Sequence, residues 1–195
     1  MPDLQKSFYE EVVTAGQGVL ALIVGDRRAP QHFDFSDRGL VGSFIGLLLV
    51  TFLSAVLPLV LPGAGEDYSI ARSVGIAVLL FSFQVGFAAL VLRQMKRLDG
   101  LRPYLVADNW ASVYISVGQL LLSFVGFQGE LAFFALSILV IVVEINIARL
   151  IVTLTPLQIA MFMIAQVVGV AIALLLVGML FPSPETQAAL SSLQM

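Results

Sequence analysis

The chain has 195 residues, 59% of them hydrophobic and only 12% charged, with a net charge of -3. A soluble domain carries about 25% charged residues, and a chain this short still has a large surface to cover, so lipid rather than a larger core is expected to take up the apolar side chains. The lack of cysteine excludes disulfides, thiolate metal sites and cysteine nucleophiles, the lone histidine excludes paired haem ligation within the chain, and no clustered basic face points to nucleic acid.

Residues 4–24 come first. Leu4, Phe8, Val12, Val19, Leu20 and Ile23 fall roughly on one helical face, and Gln5, Lys6, Glu10, Glu11 and Gln17 fall largely on the other. The purely apolar part, 19–24, is far shorter than the ~20 residues of a span. The pattern predicts an amphipathic helix in the membrane interface; a helix docked on the protein's own loops fits equally. No basic stretch precedes it, so it does not read as a cleaved signal. Gly25-Asp26-Arg27-Arg28-Ala29-Pro30 then breaks the pattern, and His32 reads as a solvated loop residue. Residues 1–35 form a cytoplasmic segment in this division, 36–182 a transmembrane domain and 183–195 a short external tail.

Five apolar stretches follow, at about 40–61, 74–92, 104–127, 131–154 and 157–181. Ser36 or Asp37 caps the first, and Pro62-Gly63 ends it. Pro103 lies in the first turn of the third, where a missing N–H does no harm. Gln128-Gly129-Glu130 is so short that the third and fourth should form an antiparallel pair. Thr155-Pro156 reads as N-cap plus first-turn proline for the fifth, and Pro182 and Pro184 end it. The expected fold is all-α: a five-helix membrane bundle with an amphipathic N-terminal helix.

With alternating spans, Lys6, Arg27, Arg28, Arg38, Arg93, Lys96, Arg97, Arg102 and Arg149 lie on one side and only Arg72 on the other. The positive-inside rule makes the basic side cytoplasmic. The expected setting is a bacterial inner membrane, N-terminus inside and C-terminus outside. The asymmetry argues against pairing with an inverted copy. Small residues recur at helix-packing spacing: Gly42/Gly46, Ser82/Gly86, and Ala165/Gly169/Ala173. Packing within the chain is the first reading of these faces, with a protein partner or homo-oligomer as the other.

Asp108, Asn109, Glu144, Asn146 and Arg149 are costly inside a membrane and need an account; Gln84, Gln119 and Gln166 are milder cases. The charged groups gather in the half towards the basic side, on neighbouring helices, and Gln84 falls about midway along its span. Glu144 is ~7–8 Å deeper than Arg149, and their i,i+5 spacing, about 500° of rotation, keeps them off one face. One reading is a structural lock, in which Asp108 pairs with Arg149 while Asn109 and Asn146 bond across helices. Another is a polar pocket open to the cytoplasm, with Glu144 its deepest charge and a proton or cation site. A third is snorkelling of Asp108 and Arg149 to the headgroups. Trp110 is expected at the boundary as an interfacial anchor. The outer half offers few polar residues beyond Ser116, Gln119, Ser123 and Gln166, which weakens a transport reading. No HExxH, GxSxG, phosphate-cradling loop or His/Cys set is present, so neither catalysis nor a cofactor is expected.

The cytoplasmic N-terminal segment, five close spans, basic connection Arg93-Gln94-Met95-Lys96-Arg97-Leu98-Asp99-Gly100 and short tail resemble the Yip1-like superfamily. The layout also resembles small bacterial inner-membrane proteins of unknown substrate. The Yip1 resemblance is architectural, covers roughly 36–181 and carries over no functional residue. It implies a non-enzymatic scaffold or partner subunit of a membrane complex. The alternative is a small transporter or channel component using the polar pocket.

Overall fold

In the computed structural model, which describes residues 7–60, 69–126 and 129–181, every regular element is helical. The elements are α1 (Phe8–Ile23), α2 (Asp37–Val60), α3 (Ile70–Gln94), α4 (Leu101–Phe124), α5 (Glu130–Asn146) with a π-helical turn (Ile147–Ile151), and α6 (Pro156–Leu180). Short 3-10 turns at Ala29–His32 and Leu98–Gly100 complete the connections. The expected tail, the exit prolines 62, 182 and 184, and part of the 127–130 turn lie outside the described residues.

Helix starts follow local chemistry. Ser7 and Glu10 form a reciprocal capping box on α1, and Thr155 and Gln158 form another on α6 with Pro156 in its first turn. Each box satisfies two backbone N–H groups that a helix start leaves without intrahelical partners. The Ser36 hydroxyl accepts from the Gly39 N–H at the start of α2.

Four helices are long and apolar enough to cross a membrane: α2, α3, α5 with its π-turn, and α6. These mark a membrane protein. α4 has 24 residues too, but Arg102, Asp108 and Asn109 lower its apolar character. It is the helix the others cover, for Tyr104 through Ala111 are all buried.

The tightest helix pairs are α2 with α4 and α3 with α6. Small residues allow both. Gly169 faces the Phe87 ring, which a β-carbon at 169 would meet at 2.8 Å, and Ala173 is fully buried. Gly46 seats the Trp110 indole. Trp110 is thus 1% exposed and packs inside the protein, not at the membrane boundary as expected. The Ser82/Gly86 face of α3 is open, with nothing near the Gly86 α-carbon.

α4 and α5 run antiparallel but do not pair closely along their length. α4 packs mainly on α2, and α1 lies against both α4 and α5. The Tyr114 hydroxyl donates to the Val12 carbonyl, an approach open because residue 16 is glycine. The Asn146 amide donates to the Leu22 carbonyl at 2.8 Å, a second donor to an oxygen at the helix end that also accepts from the Gly25 N–H. α1 buries Glu11, Ala15, Gly18, Val19 and Leu22, while Tyr9, Val13, Leu20 and Val24 are exposed. This corrects the predicted faces: Glu11 turns inward and Leu20 outward. The cause is a polar seat for Glu11 on the bundle, which hydrophobic periodicity does not register.

The two ends are tied differently. Arg97 donates to the Val152 and Thr153 carbonyls and to the Thr153 hydroxyl, closing the turn after the π-segment. At the opposite end Arg72 donates to the Phe181 carbonyl at 2.9 Å, beyond the last turn of α6.

Candidate functional site

Tyr104, Asp108, Ser112 and Ser116 follow one another at i+4 along α4, and Gln119 and Ser123 continue the line. At 3.6 residues per turn all six fall within a sector of about 120°. α4 therefore carries a polar stripe from its basic end almost to its far end. The stripe faces α5, where Glu144 and Ser137 lie two turns apart.

At the basic end of the stripe the Asp108 and Glu144 carboxyl groups meet across α4 and α5 and line one cavity. The Gln84 amide, from α3, donates to Asp108 Oδ2 at 3.1 Å and to the Tyr104 hydroxyl at 3.3 Å. Two carboxyl groups bond one another only with a proton between them, since neither carboxylate is a donor. Asp108 is 4% exposed, and Glu144 Oε2 is buried without a hydrogen-bond partner. The charged residues of α3 near its ends are Arg72 and Arg93, and α6 has none. Arg149 is exposed on the π-turn, and among the described residues no ion pair reaches it. Among the described residues no ion pair joins Asp108 or Glu144 to a Lys or Arg. The lock expected between Asp108 and Arg149 does not form, because the π-turn and the splay of α5 carry Arg149 outward while Glu144 turns to Asp108.

A cavity of about 200 Å³ adjoins the pair, lined by Gln84, Asp108, Ser112, Ser116 and Glu144 together with Ile115 and Val140. A larger cleft of about 660 Å³ continues between α4 and α5, sharing Ile115 and Val140 and reaching Gln119, Ser123, Ser137 and Gly129. The sequence reading opens the pocket towards the basic end. The described cavities run the other way. On the basic side Tyr104 is fully buried edge-on against Phe162, with ring centroids 5.1 Å apart, and Val152 packs on Gly100.

The other expected members of the cluster lie elsewhere. Asn109 turns away from the pair and donates to the Ser43 hydroxyl of α2 at 3.0 Å. Asn146 holds the end of α1. Gln166 is buried one turn beyond Phe162, and neither atom of its amide group has a partner. Among the described residues no three His, Cys, Asp or Glu side chains could hold a metal.

Tyr104, Ser112 and Glu11 belong to the polar interior but were not singled out. The i+4 spacing on either side of Asp108 was the available signal for the first two. Glu11 gave none. It is buried against Gly42, beside the Trp110 indole, and its Oε1 has no hydrogen-bond partner. Burial pushes its carboxyl above the usual range, Asp34 adds to this, and Arg38 and the Trp110 indole oppose it.

The fold and site define a helical membrane protein with a buried carboxyl pair at the foot of an interhelical cleft. No protein-family model, curated protein or solved structure matches the chain.

Proposed function

We propose that the chain is a non-enzymatic, five-span inner-membrane protein that binds and releases protons on the Asp108–Glu144 pair, as a small transporter component. The observation that carries this reading is the polar stripe of α4, which joins the pair to the far end of the bundle through two contiguous cavities. Ionisable groups in a membrane serve proton and ion pathways more often than they serve packing. In this reading α4 is the fifth span, its polar face turned to the cleft and so hidden from lipid. The nine-to-one asymmetry of basic residues sets the N-terminus in the cytoplasm, so the cleft opens outward. α1 lies in the inner interface, its exposed Tyr9, Val13, Leu20 and Val24 meeting lipid.

The scaffold reading draws on one feature, the open Ser82/Gly86 face of α3, where a partner helix or a second copy would approach closely. It assigns no role to the carboxyl pair or the cleft.

Infrared spectroscopy of the protein in lipid nanodiscs tests the proton-binding reading. A protonated-carboxyl band that shifts in heavy water, titrates with pH and disappears in Asp108→Asn/Glu144→Gln is expected. A band that never exchanges, or none assignable to these residues, overturns it.

A further inference from the structure

We infer that the α4–α5 cleft binds an organic cation with an apolar body, in exchange for the proton held by Asp108 and Glu144. This rests on the proton-binding reading above and names the ligand that reading leaves open.

Charge selects the sign. An anion entering the cleft would meet two carboxyl groups, with no Lys or Arg lining either cavity. Glu144 Oε2 is a buried acceptor without a partner at the foot of the cleft. Ser137 donates its proton to the Phe133 carbonyl of its own helix. Its oxygen lies on the cleft wall as an acceptor, which suits a cation and not an anion.

Size and wall chemistry select the body. The cleft, at about 660 Å³, lies within the ~300–1,000 Å³ of small-molecule sites. Leu122, Phe133, Leu136 and Ile141 form much of its wall. A bare inorganic cation would fill the small cavity beside the carboxyl groups and leave this apolar space unused. A neutral apolar molecule would fill the space and leave the carboxyl proton in place. An apolar-bodied cation does both: the body occupies the cleft and the charge meets the pair. The carboxyl O–H bond breaks, its proton passes to water, and the carboxylate holds the cation by charge alone. No covalent bond forms and net charge is conserved.

The probe is tetraphenylphosphonium, titrated by calorimetry into the protein in nanodiscs, in buffers of different ionisation heat so that released protons are counted. Saturable binding above empty nanodiscs is expected, with about one proton released per cation. One-proton exchange makes the apparent Kd rise about tenfold per pH unit of acidification where the pair is protonated. Asp108→Asn and Glu144→Gln should each abolish proton release and weaken binding about tenfold or more. Leu136→Trp, in the wall of the larger cleft and away from the carboxyl cavity, should block the cleft while leaving the infrared carboxyl band intact. No saturable binding, as expected if acyl chains fill the cleft, overturns the inference, and so does binding indifferent to pH and to all three substitutions. A titrating carboxyl band without cation binding removes this inference and leaves the proton-binding reading standing. Absence of the band removes both.

Discussion

Asp108 and Glu144 meet across α4 and α5 and line one cavity between them. They mark the foot of the cleft. Gln84 bonds the same aspartate from α3, so three helices converge on one acidic centre.

The pair should behave as a unit. Asp108→Ala and Glu144→Ala are each expected to destabilise the protein in detergent. The double variant should lose less than the sum, by about 0.5–3 kcal/mol of coupling. Arg149→Gln, at an exposed position, should shift stability by no more than about 0.5 kcal/mol. Thermal unfolding of the four variants checks this, and strict additivity of the two acidic positions would count against their contact.

Glycine 42 should be intolerant of a side chain. A β-carbon there would meet Glu11 Oε1 at 2.5 Å. Gly42→Ala should displace Glu11 and α1 with it, at a cost of about 1–3 kcal/mol. Trp110 is the sole tryptophan and its ring lies 6.3 Å from that of Phe8 on α1, so its emission should move to the red as α1 leaves. An unchanged spectrum in a variant of normal stability would show that the seat is looser than the geometry implies.

Docking of α1 should weaken as pH rises. The Glu11 carboxyl lies above its ordinary value because of burial, with Asp34 adding to it and Arg38 and Trp110 opposing. The docked state thus holds its proton more tightly than the undocked state. Its contribution is complete below the ordinary glutamate value of 4.5 and is lost as pH climbs through the raised value. Hydrogen exchange of 8–23 across this range should show growing exposure, and Glu11→Gln should flatten the dependence. A wild-type profile as flat as that of Glu11→Gln would exclude Glu11 as the sensor.

Topology offers a direct check. A reporter active only outside the cytoplasm should be active when fused after Met195 and silent when fused at Gly100. The basic residues on the Gly100 side motivate this. Activity at Gly100 would invert the bundle and turn the cleft towards the cytoplasm.

The substitution Asn146→Leu should free the end of α1. It removes the side-chain donor to the Leu22 carbonyl and leaves that oxygen only the Gly25 N–H, at a cost of about 0.5–1.5 kcal/mol. Faster amide exchange at 20–25, with α5 unchanged, is the expected readout.

Much of the fold was legible in the residues alone. Apolar length and the caps at Ser36 and Thr155 depend on neighbours in the chain, so helix class and helix limits could be read to within a few residues. The membrane setting was legible for the same reason, since apolar content and basic asymmetry are properties of composition and order. The polar residues inside were visible too, because each is out of place in an apolar run. Their partners were not. Asp108 had Arg149 at a similar depth and Glu144 ~7–8 Å deeper on the following helix, and sequence spacing cannot say which way a helix is turned. The π-turn and the insertion of α1 against α4 and α5 decided that, sending Arg149 outward and Glu144 to Asp108. Both depend on contacts between residues far apart in the chain, such as Asn146 with Leu22 and Glu11 with Gly42. The amino-acid order by itself determined a helical membrane chain with a few costly polar groups. Only tertiary packing joined three of them into an acidic centre beneath a cleft, because burial and hydrogen-bond partners are settled where helices meet.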